Sequence, residues 1–183
     1  MGLVDMFSIS DQNINQSFNV EPFTIADINQ SVGITLGNVV SNFADPEKSQ
    51  IQNADGSSAP FPPIPAQSGG SHPAGSFTAF STVNFSQGTL TLTVTNNWPI
   101  DLVNLNIEIR NTVDNSLIGV VNYPNIPAGT IQADAIDLTG KTMSNSIKAN
   151  ITNIESPGSG GVLNLVPIDL TDDIDINVAT SNL

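Results

Sequence analysis

The stretch T-L-T-L-T-V-T at residues 89–95 decides the fold class of this chain. Its apolar residues occupy every second position, with threonine between them. Because successive side chains of a strand point to opposite faces, this pattern predicts a strand with one buried face and one solvated face. Three further runs share the period of two: V-N-L-N-I-E-I-R at 103–110, S-I-K-A-N-I at 146–151 and D-I-D-I-N-V at 173–178.

Turn signals separate these runs. They are N-N-W-P at 96–99, D-N at 114–115, P-A-G at 127–129, T-G at 139–140 and S-P-G-S-G-G at 156–161. Amphipathic strands divided by Gly, Pro, Asn and Asp turns are typical of an antiparallel sandwich, in which a second sheet covers the buried face of the first. The predicted fold class is therefore all-β: an antiparallel, immunoglobulin-like β-sandwich with an additional N-terminal β-rich segment and a Pro/Gly-rich connecting segment.

Composition divides the chain into three regions. Residues 1–52 hold two β-like runs, at 17–25 and 32–40, and the helix-start signal Asp45-Pro46-Glu47. An isolated strand pair is marginally stable, so we expect this region to complete the sandwich or to pair with a neighbouring chain. Residues 53–76 are rich in Pro and Gly and form either a linker or an extended segment that Phe61 and Ile64 anchor. Residues 77–183 form the predicted sandwich domain.

Charge and composition exclude several function classes. The chain has 183 residues, with 4 Lys+Arg against 17 Asp+Glu, and a formal net charge of −13. This balance argues against nucleic-acid binding, which needs many cationic contacts. No run reaches the roughly 20 apolar residues of a membrane helix, so we expect no membrane insertion. The chain has no Cys and one His, His72, and shows no nucleophile or paired-carboxylate motif, so we expect no enzymatic activity.

The composition of the polar surface indicates where the protein is located relative to the cell. Charged residues are 11 % of the chain, about half the usual share, so Asn, Thr, Ser and Gln supply the surface. Such surfaces are common among secreted and cell-surface proteins, and we expect an extracellular or cell-surface protein. The first seven residues do not read as a signal peptide, so the alternatives are a removed leader or a cytoplasmic location.

Two sets of residues are candidate binding sites. Asp169, Asp172, Asp173 and Asp175 supply the carboxylates that Ca²⁺ prefers, although the run also fits a solvated acidic strand. Trp98 and Tyr123 are amphipathic aromatics that could stack on a carbohydrate, although Trp98 also fits a cover over one end of the core. The sequence implies no other cofactor.

Residues 89–152 resemble the type-two late-embryogenesis-abundant (water-stress response) sandwich. In that family an Asn–Pro pair ends one strand, and a later I-P-A-G turn leads into another; Asn97, Pro99 and the I-P-A-G at 126–129 match these places. Trp98 splits the Asn–Pro pair, which is a departure from the family pattern. The resemblance covers about a third of the chain and implies an immunoglobulin-like fold without catalytic residues.

Together these observations predict a non-catalytic structural or interaction protein, a β-sandwich subunit of a cell-surface, adhesion or extracellular assembly. We expect a protein partner or self-association. The alternatives are a carbohydrate- or calcium-binding module and a stress-protective protein of the late-embryogenesis type.

Overall fold

A computed structural model describes residues 29–183; the predicted run at 17–25 lies outside them. The elements are, in chain order, β1 (Asn29–Thr35), α1 (Leu36–Val40), α2 (Glu47–Asn53), β2 (Ser58–Pro60), β3 (Ile64–Gln67), β4 (Gly70–Ser76), β5 (Thr82–Asn84), β6 (Thr89–Asn96), β7 (Leu102–Asn111), β8 (Leu117–Ile126), β9 (Ile131–Asp137), β10 (Thr142–Ser144), β11 (Ser146–Ser156), β12 (Leu165–Pro167) and β13 (Asp173–Ser181). Neither helix of this part is long and apolar enough to cross a membrane.

Eight of these strands form two packed antiparallel sheets. The first has the order β1-β13-β6-β9, and the second has the order β4-β11-β7-β8, with β3 pairing the far end of β11. Numbered along the chain, the eight strands run 1-8-3-6 in one sheet and 2-7-4-5 in the other, which is the strand order of a jelly roll. The predicted all-β antiparallel sandwich is confirmed. Its strand order differs from the immunoglobulin arrangement because β1 and β4 are integral strands.

The sandwich thus includes strands that precede residue 77, where sequence reasoning places its start. β1 pairs with β13 of the same chain over its whole length, from Asn29↔Ala179 to Thr35↔Asp173. β4 pairs with β11, and the short β2 pairs with β12. Phe61 and Ile64 are buried, as expected for a docked segment rather than a free linker.

The core consists of the alternating apolar side chains of both sheets. Leu90, Leu92 and Val94 of β6 are buried, and the inward residues of β11 and β13 behave likewise. The beginning of β7 is an exception to this alternation. Leu102 is buried and Val103 is not, because Asn104 adopts a φ of +52° and reverses the alternation before Leu105. The prediction that Val103 faces the core is therefore wrong.

The run at 32–40 is strand only as far as Thr35. α1 then begins at Leu36, and the Thr35 side chain accepts a hydrogen bond from the backbone N–H of Asn38. Leu36, Val39 and Val40 are buried on one face at helical spacing, so tertiary packing overrides their strand preference. The predicted short helix near Asp45 is present as α2, and Ser49 Oγ donates to Asp45 Oδ1 at 2.5 Å.

Candidate docking groove

One end of the sandwich carries the irregular segments. β1 and β11 both finish at this end, so α1, α2 and the loop after Ser156 gather there. The Pro-rich stretch 60–67 runs beside them, since β3 pairs with the last residues of β11. The opposite end holds the turn at 111–116 between β7 and β8.

Two adjoining hollows at this end form one open groove, which we call the proline groove. One hollow has a volume of about 390 Å³ and the other about 540 Å³. They share Glu47, Pro62 and Pro63. The smaller is completed by Asn42, Phe43, Ala44, Pro65 and Gln67. The larger is completed by Gln50, Ile51, Pro60, Phe61, Pro157, Gly160, Gly161 and Val162.

The groove is built on a rigid floor. Prolines hold their segment extended, which turns Phe61 inward, where its ring meets that of Phe43 edge-on at 6.1 Å between centroids. The loop after β11 is fastened to the same segment, because Ser159 N–H donates to the Phe61 carbonyl oxygen and Phe61 N–H donates to Ser159 Oγ, each at 3.0 Å.

Glycine at position 158 permits this close approach. Gly158 has a φ of +70°, and a Cβ added there would collide with the backbone of Phe61 and Pro62. Only glycine satisfies both conditions without strain. The loop that borders the groove is therefore positioned by a backbone contact that a side chain would break.

A protruding apolar loop lies at the rim of the groove. Val162 is 81 % exposed, Leu163 is 91 % exposed and Leu165 is 60 % exposed. Val162 lines the larger hollow, and Leu165 is paired with Pro60, another groove residue. Contiguous apolar side chains that remain in water mark an interaction surface more often than single exposed ones do. We call residues 162–165 the rim loop.

The charged groups of the groove are few. Glu47 is the one charged side chain among the residues that line the two hollows. The Nε2 atom of Gln67 is buried and has no hydrogen-bond partner among the described residues. An unpaired buried donor costs free energy, so this amide is an unsatisfied group in the wall of the smaller hollow.

The predicted aromatic platform is absent. Trp98 is 1 % exposed, and it lies in the turn after β6 as a cover over the end of the core. Tyr123 is also buried, and its hydroxyl points across the sandwich. Neither ring is exposed to solvent, which argues against a stacking surface for a sugar at this place; carbohydrate binding stays a prediction. The alternative for Trp98, an end cover of the core, agrees with its burial.

The four predicted calcium ligands lie along the start of β13 and the turn before it. Within residues 29–183, no three Asp, Glu or His side chains converge on a candidate metal position. Asp169 accepts hydrogen bonds from Thr171 Oγ1 and N–H, which lower its pKa, and Asp173 accepts one from Asn97 Nδ2. Burial raises the pKa of Asp172, and the charges of Asp169 and Asp173 add to the effect. Asp175 lies on the outer face of β13. Calcium binding stays a prediction.

Sequence reasoning missed the groove and its rim loop. The apolar run V-L-N-L-V at 162–166 was a signal, because it follows a Gly-rich turn and lacks a strand-like alternation. The sequence predicted only one part of the groove, the extended segment that Phe61 and Ile64 anchor. One wall comes from α2, which closely precedes the prolines in sequence, and the other comes from the loop after β11, in which Ser159 is 98 residues from Phe61 and reaches it only through the fold.

No protein-family model and no curated protein matches this chain. Among solved structures, the chain is similar to the infectious bursal disease virus Gx strain structure, with 13 % identity and a TM-score of 0.26. It is also similar to the T13 particle of that virus, with 11 % identity and a TM-score of 0.25, and to a mutant of its VP2 protein, with 9 % identity and a TM-score of 0.25. Each match covers 90 % of this chain but only 34 to 44 % of the other, so the chain spans less than half of those proteins.

Proposed function

We propose that this chain is a non-catalytic structural subunit that acts by associating with further copies of itself. The observation that carries the proposal is the proline groove with its exposed rim loop at one end of the sandwich. Such a contiguous apolar surface costs solubility and is explained by a partner that covers it. The jelly roll is compatible with this role, although the fold also serves lectins and enzymes, so the groove and not the fold supports the proposal.

Within residues 29–183, the single histidine and the ion pair of β7 do not point to a reaction. His72 lies in β4 with its Nε2 atom 2.9 Å from the Gly69 carbonyl oxygen, and Glu108 is paired with Arg110 at 2.7 Å. Neither pair is a nucleophile with a base. We also propose an extracellular or cell-surface location, for which the uncharged Asn-, Thr- and Ser-rich surface is the support.

Light scattering over a wide range of protein concentration, with electron microscopy of the same samples, tests the proposal. We expect a mass above 19.2 kDa that rises with concentration, or a defined particle or filament. A monomer at every concentration would overturn the proposal of self-association.

A further inference from the structure

The outer face of the second sheet carries two like charges side by side. The chain has 4 Lys+Arg against 17 Asp+Glu, yet Lys148 of β11 lies directly opposite Arg110 of β7 in the ladder. Like charges at directly opposite positions destabilise a sheet. The one ion pair among the described residues joins Arg110 to Glu108, so Lys148 has no carboxylate partner in that part of the chain. An anion bound beside Lys148 would relieve this repulsion.

A small hollow lies next to the Lys148 side chain. It has a volume of about 270 Å³ and is lined by Ser71, His72, Pro73, Thr112, Ser146 and Lys148. β4 and β11 form its floor, because Pro73 is paired with Lys148 in their ladder. Thr112 is held at its edge by a 3.0 Å hydrogen bond from its N–H to the Ser146 carbonyl oxygen. We call this hollow the lysine pocket.

The polar groups of the lysine pocket suit a ligand that both accepts and donates hydrogen bonds. The Lys148 ammonium is a donor only. Ser146 Oγ donates to Thr112 Oγ1 at 3.2 Å, which leaves the Thr112 hydroxyl as a donor and the Ser146 hydroxyl oxygen as an acceptor. His72 Nε2–H donates to the Gly69 carbonyl oxygen at 2.9 Å, which orients the ring at the wall of the pocket. A fitting ligand therefore carries anionic oxygens and at least one hydroxyl group.

We propose that the lysine pocket binds a small carboxylate that carries hydroxyl groups, of the class of the sugar acids, with its carboxylate on the Lys148 ammonium. The inference goes beyond the proposed function and does not depend on self-association. The pocket lies near the first residues of β11, whereas the proline groove lies beside the last ones.

Size and charge favour this ligand over other anions. A volume of about 270 Å³ lies just below the range, roughly 300–1,000 Å³, of sites that take drug-sized ligands, so it fits one compact ring. The net charge of −13 repels a dianion more than a monoanion, and a polyanion most of all. A carboxylate brings one negative charge for one ammonium, while a phosphate monoester brings about 1.5 to 2.

Titration with glucuronate, followed by the amide chemical shifts of the chain, tests the site. Glucose is the uncharged control ligand, and acetate is a carboxylate without the sugar ring. We expect glucuronate to give saturable shifts in β4 and β11 around Lys148 and glucose to give none. Acetate should bind about tenfold more weakly than glucuronate, because it lacks the hydroxyl groups that pair with Thr112 and Ser146.

Two lysine variants with the same change in net charge separate a local effect from a global one. Lys148→Met removes the ammonium and keeps an unbranched side chain, and Lys48→Met does the same in α2, at the other end of the sandwich. We expect Lys148→Met to weaken glucuronate binding by about tenfold or more and Lys48→Met to leave it unchanged. Because Lys148 faces Arg110, Lys148→Met should not lower the melting temperature of the ligand-free chain, so lost binding will not reflect a lost fold.

The outcomes decide the inference separately from the proposed function. Equal binding by Lys148→Met and the wild-type chain overturns it, as do shifts that fail to saturate or that glucose reproduces. Equal affinity for acetate and glucuronate overturns the assignment to sugar acids. Saturable binding of glucuronate that requires Lys148 supports the inference, whether or not light scattering shows that the wild-type chain associates.

Discussion

The hydroxyl of Tyr123 in β8 donates a 2.7 Å hydrogen bond to the backbone carbonyl oxygen of Leu92 in β6. The two strands belong to different sheets, so this bond ties the sheets together through the core. Tyr123 is the one tyrosine of the chain, and it is buried among aliphatic side chains. Its polar tip therefore links the two sheets.

Removal of this link should destabilise the sandwich. Tyr123→Phe keeps the ring and leaves the Leu92 carbonyl oxygen without its side-chain donor, so we expect a loss of about 1–2 kcal/mol in the free energy of unfolding. Urea denaturation measures the loss. Asn122→Ala, at the exposed neighbouring position, is the control and should change stability little. An equal effect of both variants would contradict the role given to the hydroxyl.

Alkaline unfolding should also depend on Tyr123. Burial raises the pKa of Tyr123 above its ordinary value of about 10, and the charge of Asp134 adds to this shift. Because the neutral form is favoured in the folded state, the contribution is complete below about pH 10 and is lost as the pH rises further. We expect tyrosinate absorbance to appear together with unfolding. Ionisation of Tyr123 near pH 10 in a chain that remains folded would contradict this.

Asn96 should be among the polar residues on which stability depends most. It is fully buried, and its Nδ2 atom donates to the carbonyl oxygens of Ile100 and Ile126, at 2.9 and 3.1 Å. Its Oδ1 atom accepts a hydrogen bond from the backbone N–H of Trp98. Asn96→Ala leaves three buried groups without these partners, so we expect a loss of about 2–4 kcal/mol in the free energy of unfolding. The fluorescence of the single tryptophan during denaturation measures this loss. The exposed neighbour Asn97→Ala should cost about 0.5 kcal/mol or less.

Two glycines share a backbone conformation, so replacing each of them by alanine distinguishes the cost of backbone strain from the cost of a steric collision. Gly140 and Gly158 have φ values of +72° and +70°, but a Cβ at Gly140 meets nothing within 4 Å, whereas one at Gly158 meets the Phe61 and Pro62 backbone. Gly140→Ala should therefore cost only the left-handed strain, about 1–2 kcal/mol. We expect Gly158→Ala to cost clearly more in chemical denaturation, and to weaken association because the groove wall shifts. Equal losses of stability in the two variants would show that the loop after β11 moves away from Phe61 without cost, which would contradict the role given to Gly158.

Two aspartates should respond to the same substitution with opposite signs. Burial and the charges of Asp169 and Asp173 raise the pKa of Asp172, so its ionised form opposes folding at neutral pH. Asp172→Asn should raise the melting temperature at pH 7, and this gain should vanish as the pH falls through the range where Asp172 is protonated.

Asp137 provides the control for that substitution. Hydrogen bonds from Thr139 lower the pKa of Asp137, so its carboxylate stabilises the fold above its ordinary pKa and this contribution is lost as the pH falls. Asp137→Asn should lower the melting temperature at pH 7. Shifts of the same sign in both variants would contradict the assigned environments.

The local elements of this protein follow from its sequence. The alternation at 89–95 and 173–178 predicts strands whose inward residues are buried, because period-two amphipathicity can be satisfied only by a half-buried strand. The helix signal at 45–47 leads to α2, although Pro46 is the N-cap residue and no side chain caps the first turn; Glu47 is the acidic residue of that turn. Both predictions depend only on neighbours along the chain, which is the information that a single sequence carries.

The alternation in β7 shows where local reasoning stops. Asn104 takes a left-handed conformation at a bulge opposite β11, and this shifts Leu102 into the core in place of Val103. α1 is a second case, since the N–H groups of Leu36 and Gly37 donate to the carbonyl oxygens of Asp172 and Leu170. Partners more than a hundred residues away turn a strand-forming sequence into a helical turn.

The sequence by itself therefore determined that the chain is an acidic, all-β, antiparallel sandwich with amphipathic strands and glycine- and proline-rich turns. Tertiary structure alone decided the jelly-roll order, because strand pairing depends on which edges meet and not on the period within a strand. It also decided the candidate site. Trp98 and Tyr123 became core residues, while the rim loop was brought together with α2 and the prolines, from which it is distant in sequence, as one groove.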